Sequence, residues 1–72
     1  MEKYFLQFDF YNNEGDYNKF YYGIVDLDLN EKGLRDHCMT IIKERFEIDL
    51  LSNGVSTDDL VIKVNQLNNF NL

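Results

Sequence analysis

The sequence predicts a small α+β domain in the order β-β-α-β, with a three-stranded, mostly antiparallel sheet of order 2-1-3 and one helix packed on one face. Three observations carry that expectation. Two aromatic-rich stretches, Tyr4–Tyr11 and Phe20–Leu29, flank a polar segment containing Gly15. Apolar residues then recur at helical spacing: Leu34, Cys38, Ile41 and Ile42. A last alternating run, Leu60, Ile62 and Val64, closes the chain.

Lys3 to Tyr11 reads as a strand because successive side chains in a pleated chain point to opposite faces. Tyr4, Leu6, Phe8 and Phe10 fall on one side, and Phe5, Gln7, Asp9 and Tyr11 on the other. Asn12 to Asn18 supplies turn chemistry, with Gly15 free to take positive φ. Lys19 to Leu29 is the second strand, dividing into Tyr21, Gly23, Val25, Leu27 and Leu29 against Phe20, Tyr22, Ile24, Asp26 and Asp28. Gly23 inside it signals a bulge or a close backbone approach.

Asn30 is a suitable helix N-cap, with Leu29 placed to staple onto Leu34. The stripe Leu34, Cys38, Ile41 and Ile42, broadened by Met39, Phe46 and Leu50, should lie on the sheet. The helix should end between Phe46 and Leu51, with Asn53-Gly54 as its exit. Asp59 to Leu67 is the third strand, with Leu60, Ile62 and Val64 inward and Lys63 and Asn65 outward. The chain is expected to form a single domain over residues 1–72, with an Asn-rich tail over residues 68–72 that is frayed unless Phe70 docks. The helix carries the chain back, so the third strand runs parallel to the second and antiparallel to the first, beside which it fits.

Seventy-two residues, with 44% hydrophobic and 28% charged, describe a globular chain near the lower size for a single core. Cys38 has no partner for a disulfide, and one cysteine with one histidine makes no zinc site. The first residues lack a secretory leader pattern, and the apolar runs are too short for a membrane span. A cytoplasmic protein is expected.

The net charge of −6 is unevenly spread. Residues 1–31 carry seven acids against Lys3 and Lys19, a balance of −5, whereas residues 32–47 sum to +1 and residues 48–72 to −2. Such a chain repels phosphate backbones, which argues against direct nucleic-acid binding, and attracts basic protein surfaces.

Catalytic and metal-binding constellations lack support. Asp26-Leu-Asp28-Leu-Asn30 matches the first ligands of a calcium loop, but Glu31 stands where the turn needs glycine and His37 where the closing glutamate belongs. His37 and Cys38 are adjacent in sequence, so on a helix they diverge by roughly 100°. Asp58-Asp59 follows Ser56-Thr57 in a turn, and the basic residues Lys32, Arg35, Lys43 and Arg45 alternate with acids on a solvated helix face. No catalytic residue, metal site or cofactor is expected.

The aromatic, acidic hairpin remains. Nine of the eleven aromatic residues lie between Tyr4 and Tyr22. The plain reading is that a small protein uses large rings to reach sufficient buried area, each worth about 150–250 Å². One helix covers only one side of a sheet, however, so Phe5, Tyr11, Phe20, Tyr22 and Ile24 should face water. Rings beside carboxylates suit a protein-binding face, and the expected contact residues are Asp9, Tyr11, Glu14, Asp16, Phe20, Tyr22, Asp26 and Asp28.

In size, charge and element order, the chain resembles small phage-encoded inhibitors such as anti-CRISPR proteins. The resemblance rests on strands Tyr4–Tyr11 and Phe20–Leu29, a helix from Asn30, and the closing strand Leu60–Leu67. It implies a protein partner with a basic surface, such as a nucleic-acid-binding defence complex, whose contacts the chain would block. The alternative is a structural or accessory protein, working as a homodimer or as a subunit, that buries its open sheet face permanently.

Overall fold

Alternation and turn chemistry produce the expected hairpin. In a computed structural model that describes residues 2–70, β1 (Glu2–Asn12) pairs antiparallel with β2 (Asn18–Leu27). Two helices follow, α1 (Leu34–Arg45) and the short α2 (Glu47–Ser52), then a 3-10 turn over Thr57–Asp59. The last strand, β3 (Leu60–Asn69), pairs antiparallel with β1, so the sheet order is β2-β1-β3, as the element order predicts. Among the described residues, no helix is long and apolar enough to cross a membrane.

The core lies between the central strand and the helices. Leu6, Phe8 and Phe10 of β1 are fully buried with Cys38 and Ile42 of α1, and Leu50 and Leu60 close the ends. Burying a side chain of the Leu, Ile or Phe class stabilises by about 1.5–3 kcal/mol. Phe10 organises one end, with its ring 4.8 Å from Phe46 in an edge-on contact and 6.2 Å from Tyr17. The predicted stripe on α1 is the one that packs down, and Met39, Phe46 and Leu50 widen it as expected.

Gly23 marks neither a bulge, since the β1–β2 ladder runs unbroken past it, nor a close backbone approach, since the atoms nearest it belong to the Tyr21 side chain. The Tyr21 hydroxyl lies 2.8 Å from where a Cβ on Gly23 would stand, so the end of that side chain lies over the glycine and would shift to admit a larger residue.

Five expectations require correction. The helix starts at Leu34, capped by extended Gly33, and not at Asn30. Asp28 organises that entry instead. Its carboxylate accepts the Asn30 N–H at 3.1 Å, and its carbonyl accepts the N–H groups of Glu31 and Lys32. An aspartate that bonds the backbone two residues on favours a turn over a helix. Leu29 is exposed and staples nothing.

The helical segment is also split. Phe46 leaves helical geometry at φ −122°, ψ 10°, ending α1 and starting α2. The exit is as predicted, with Asn53 at the C-cap and Gly54 at φ 66°.

Tyr17, read as a turn residue, is buried in the core. Asn68 and Asn69, read as the start of a loose tail, belong to β3 opposite Phe5 and Tyr4. The Phe70 N–H then donates to the Lys3 carbonyl at 2.7 Å, while Asn71 and Leu72 lie outside the described residues.

The bulge lies in β3. Gln66 sits opposite Gln7 and Val64 opposite Phe8, leaving Asn65 as the extra residue. Leu60, Ile62 and Val64 share one parity and Leu67 has the other, so strict alternation would turn Gln66 toward the core. One inserted residue reverses the phase and brings Leu67 onto the core.

Candidate protein-binding face

The pleat that sends Leu6, Phe8 and Phe10 inward sends Phe5, Gln7, Asp9 and Tyr11 to the opposite surface. Cross-strand register brings Ile24, Tyr22 and Phe20 of β2 beside Phe5, Gln7 and Asp9 respectively. Val61, Lys63, Gln66 and Asn68 of β3 flank the other side.

The rings on β2 remain open. Phe20 is 59% exposed, Tyr22 63% and Ile24 48%, whereas their neighbours Phe5 and Tyr11 on the central strand are half-buried. Phe20 and Tyr22 stack with centroids 6.2 Å apart and planes 8° from parallel. Each ring thus restrains the other before any contact forms, which lowers the ordering cost of binding.

The eight residues expected to bind a partner do not form one patch. Asp9, Tyr11, Phe20, Tyr22 and Asp26 share the open face. Glu14 and Asp16 sit in the hairpin turn, where the Asp16 carboxylate accepts a 2.6 Å hydrogen bond from Asn12 Nδ2. Asp28 lies past the other end of β2, about 33 Å away for a ten-residue strand. There its carboxylate and carbonyl are occupied by the turn before α1.

Charge on the face is balanced. Asp26 forms a 2.9 Å ion pair with Lys3, and Asp9 stands opposite Lys63. Two acids and two bases therefore cancel, and the chain's −6 resides wholly on the helix side and at the sheet ends. In place of an acidic rim there is a neutral aromatic face, with most of the negative charge in the turns at the sheet ends, where Glu14, Asp16, Asp28, Glu31, Asp58 and Asp59 lie.

Lys63 faces outward as expected, whereas sequence reasoning missed Val61 as a member of this face, although its parity against Leu60 and Ile62 marks it. It also missed Tyr17, whose hydroxyl donates to Asp49 Oδ2 at 2.6 Å. Burial, then that hydrogen bond, raises the Tyr17 phenol well above its ordinary range. Lys19 lies 3.9 Å from the same carboxylate oxygen.

The other chemistry-bearing pair is separated as expected. Cys38 is buried beneath the sheet, which pushes its thiol up to about 11. The His37 Nε2 lies 3.1 Å from the Asp28 carbonyl. Among the described residues, no three His, Cys, Asp or Glu side chains gather where a metal could be held.

No family model, curated protein or solved structure matches this chain.

Proposed function

We infer that this chain is a protein-binding module that blocks a basic, nucleic-acid-binding partner, docking through its open aromatic face. One observation carries the reading: stacked Phe20 and Tyr22, with Ile24, stand exposed on a rigid sheet whose opposite face holds the core. Aromatic anchors of this kind supply most of the energy in protein interfaces. The acids in the turns at the sheet ends, Glu14 and Asp16 among them, act at longer range, speeding encounter with positive charge. The resemblance to small phage-encoded inhibitors points to a host defence complex as that partner.

The test is affinity capture from nuclease-treated host lysate, with the wild-type chain and a Phe20→Ser/Tyr22→Ser variant. The expected result is a basic protein retained by the wild type, lost with the variant and displaced by added nucleic acid. Equal capture by both chains, or competition by nucleic acid of neither, overturns the reading.

A second reading, a structural subunit whose face is permanently covered, draws support from the charge balance of that face. Light scattering after size exclusion separates the two, because a constitutive assembly runs above monomer mass at every dilution.

A further inference from the structure

Asn53 is the one asparagine in the chain that is followed by glycine. Such a pair is chemically labile, because glycine has no side chain to keep its amide nitrogen off the carbonyl carbon of the asparagine side chain. Both residues are exposed where α2 ends, Asn53 as the C-cap and Gly54 at φ 66°.

The helix end holds the reacting atoms apart. Asn53 Nδ2 donates to the Asp49 carbonyl at 2.8 Å, and the Gly54 N–H donates to the Leu51 carbonyl at 3.2 Å. At ψ 0° the Gly54 nitrogen eclipses the Asn53 backbone nitrogen, so tetrahedral geometry at Cα keeps it away from the side chain. Reaction between them therefore requires the last turn of α2 to open. That turn is weakly anchored. α2 has six residues, of which Leu50 is buried while Ile48 and Leu51 are exposed. So short a helix is held by packing, and a segment with few buried contacts opens well below the free energy of global unfolding.

We propose that Asn53 is a site of spontaneous modification, deamidating to isoaspartate and aspartate at a rate set by local opening of α2. In the open segment the Gly54 nitrogen gives its proton to solvent base and attacks the Asn53 Cγ. A new N–C bond forms, the Cγ–Nδ2 bond breaks, and Nδ2 takes a proton from water and leaves as ammonia. Water then adds to one carbonyl of the cyclic imide and breaks its bond to nitrogen, which recovers a proton. Opening at the main-chain carbonyl leaves isoaspartate, with Cβ inserted into the backbone, and opening at the side-chain carbonyl leaves aspartate.

Either product removes the Nδ2 donor that meets the Asp49 carbonyl and adds a negative charge at a helix C-terminus, where charge of that sign is unfavourable. Asp49 also receives the Tyr17 hydroxyl, so loosening at Asn53 reaches the hairpin turn. The site lies off the open aromatic face, and the inference is independent of the partner-binding reading.

Incubation of the full chain in warm, mildly alkaline buffer, with and without concentrated urea, tests it, read by peptide mapping that separates isoaspartate from aspartate. Asn53 should convert ahead of every other asparagine, and at least about tenfold more slowly in the folded chain than in urea. Leu51→Gly keeps the capping carbonyl but lowers helix propensity at an exposed position. It should speed conversion of the folded chain about fourfold and leave the rate in urea unchanged. The converted chain, separated by anion exchange, should melt at a lower temperature than the unmodified one. Equal rates with and without urea overturn the proposal, as does earlier conversion of another asparagine in the folded chain. An Asn53 that stays intact in the folded chain long after the urea sample has converted also overturns it. So does a folded Leu51→Gly chain that converts no faster than the wild type, or a converted chain with unchanged melting. If Leu51→Gly fails to fold, the wild-type rates with and without urea still decide.

Discussion

The Tyr17 hydroxyl donates a 2.6 Å hydrogen bond to Asp49 Oδ2, tying the hairpin turn to α2 across 32 positions of the chain. The ring beneath that hydroxyl packs on Phe10, so one residue joins the hairpin turn, β1 and α2 at one end of the core. Tyr17→Phe keeps the ring and removes the bond. Asp49 is partly solvated, so the expected loss is near the lower end for a hydrogen bond to a charged group, about 1.5 kcal/mol. Tyr17→Ala removes the ring as well and should cost about 3 kcal/mol or more. Urea unfolding with unchanged m-values measures both. A neutral Tyr17→Phe would assign the tie to packing alone.

Stability should fall at alkaline pH. Burial raises the Cys38 thiol from 9.0 to about 11, and burial with the Asp49 hydrogen bond raises the Tyr17 phenol. Both groups are neutral when protonated, so the folded chain retains protons that the unfolded chain has released. Their contribution is complete below the unfolded pKa values and declines as pH rises above them. The decline should begin near pH 9 with Cys38 and extend beyond pH 10.0 as unfolded Tyr17 ionises. In thermal melts, Cys38→Ala should flatten the curve of Tm against pH between these two points. A wild-type Tm constant to pH 11 would contradict the assignment.

The two faces of the sheet should respond oppositely to truncation. Phe8→Ala opens a cavity in a fully buried site and should cost about 3–5 kcal/mol. Phe20→Ser and Tyr22→Ser should each change stability by no more than about 1 kcal/mol, because their rings already stand in water. The same two substitutions should weaken partner binding about 30-fold or more, the scale of an interface anchor. Denaturant curves and titration calorimetry on the same samples compare the two responses. Large destabilisation by Tyr22→Ser would make the ring a structural element.

Asp16→Lys combined with Asp26→Lys adds two charge units at each position and moves the net charge from −6 to −2. Neither residue supports the core. Asp16 bonds to Asn12 in the turn, and Asp26 forms an exposed ion pair of the kind worth about 0–1 kcal/mol. Folding should survive while association with a basic partner slows about tenfold at low ionic strength. Added salt should narrow that difference. Stopped-flow on-rates that match the wild type at low salt would reject steering.

Much of the architecture is legible because short-range periodicity encodes it. The parity of Leu6, Phe8 and Phe10 against Phe5, Asp9 and Tyr11 assigns both faces of β1, and the element order places β3 beside it. The exposure of Phe20 and Tyr22 follows from the same parity and from the presence of helices on one side only. Less legible are the places where a local signal competes with a distant one. Asn30 is a good cap in isolation, but Asp28 captures its N–H and delays the helix to Leu34. Asn65 becomes a bulge because Leu67 has the wrong parity to reach the core otherwise.

By itself the sequence determined which residues alternate, which ones stripe a helix, and that the aromatic residues outnumber what one sheet face can hold. These are properties of neighbours along the chain. Tertiary structure alone decided that Tyr17 meets Asp49, that Lys3 and Lys63 neutralise Asp26 and Asp9, and that Glu14 and Asp28 stand at opposite ends of the sheet. Such relationships depend on strand register and on which strand lies at the edge, and a pairing between residues far apart in sequence leaves no periodic trace in either partner.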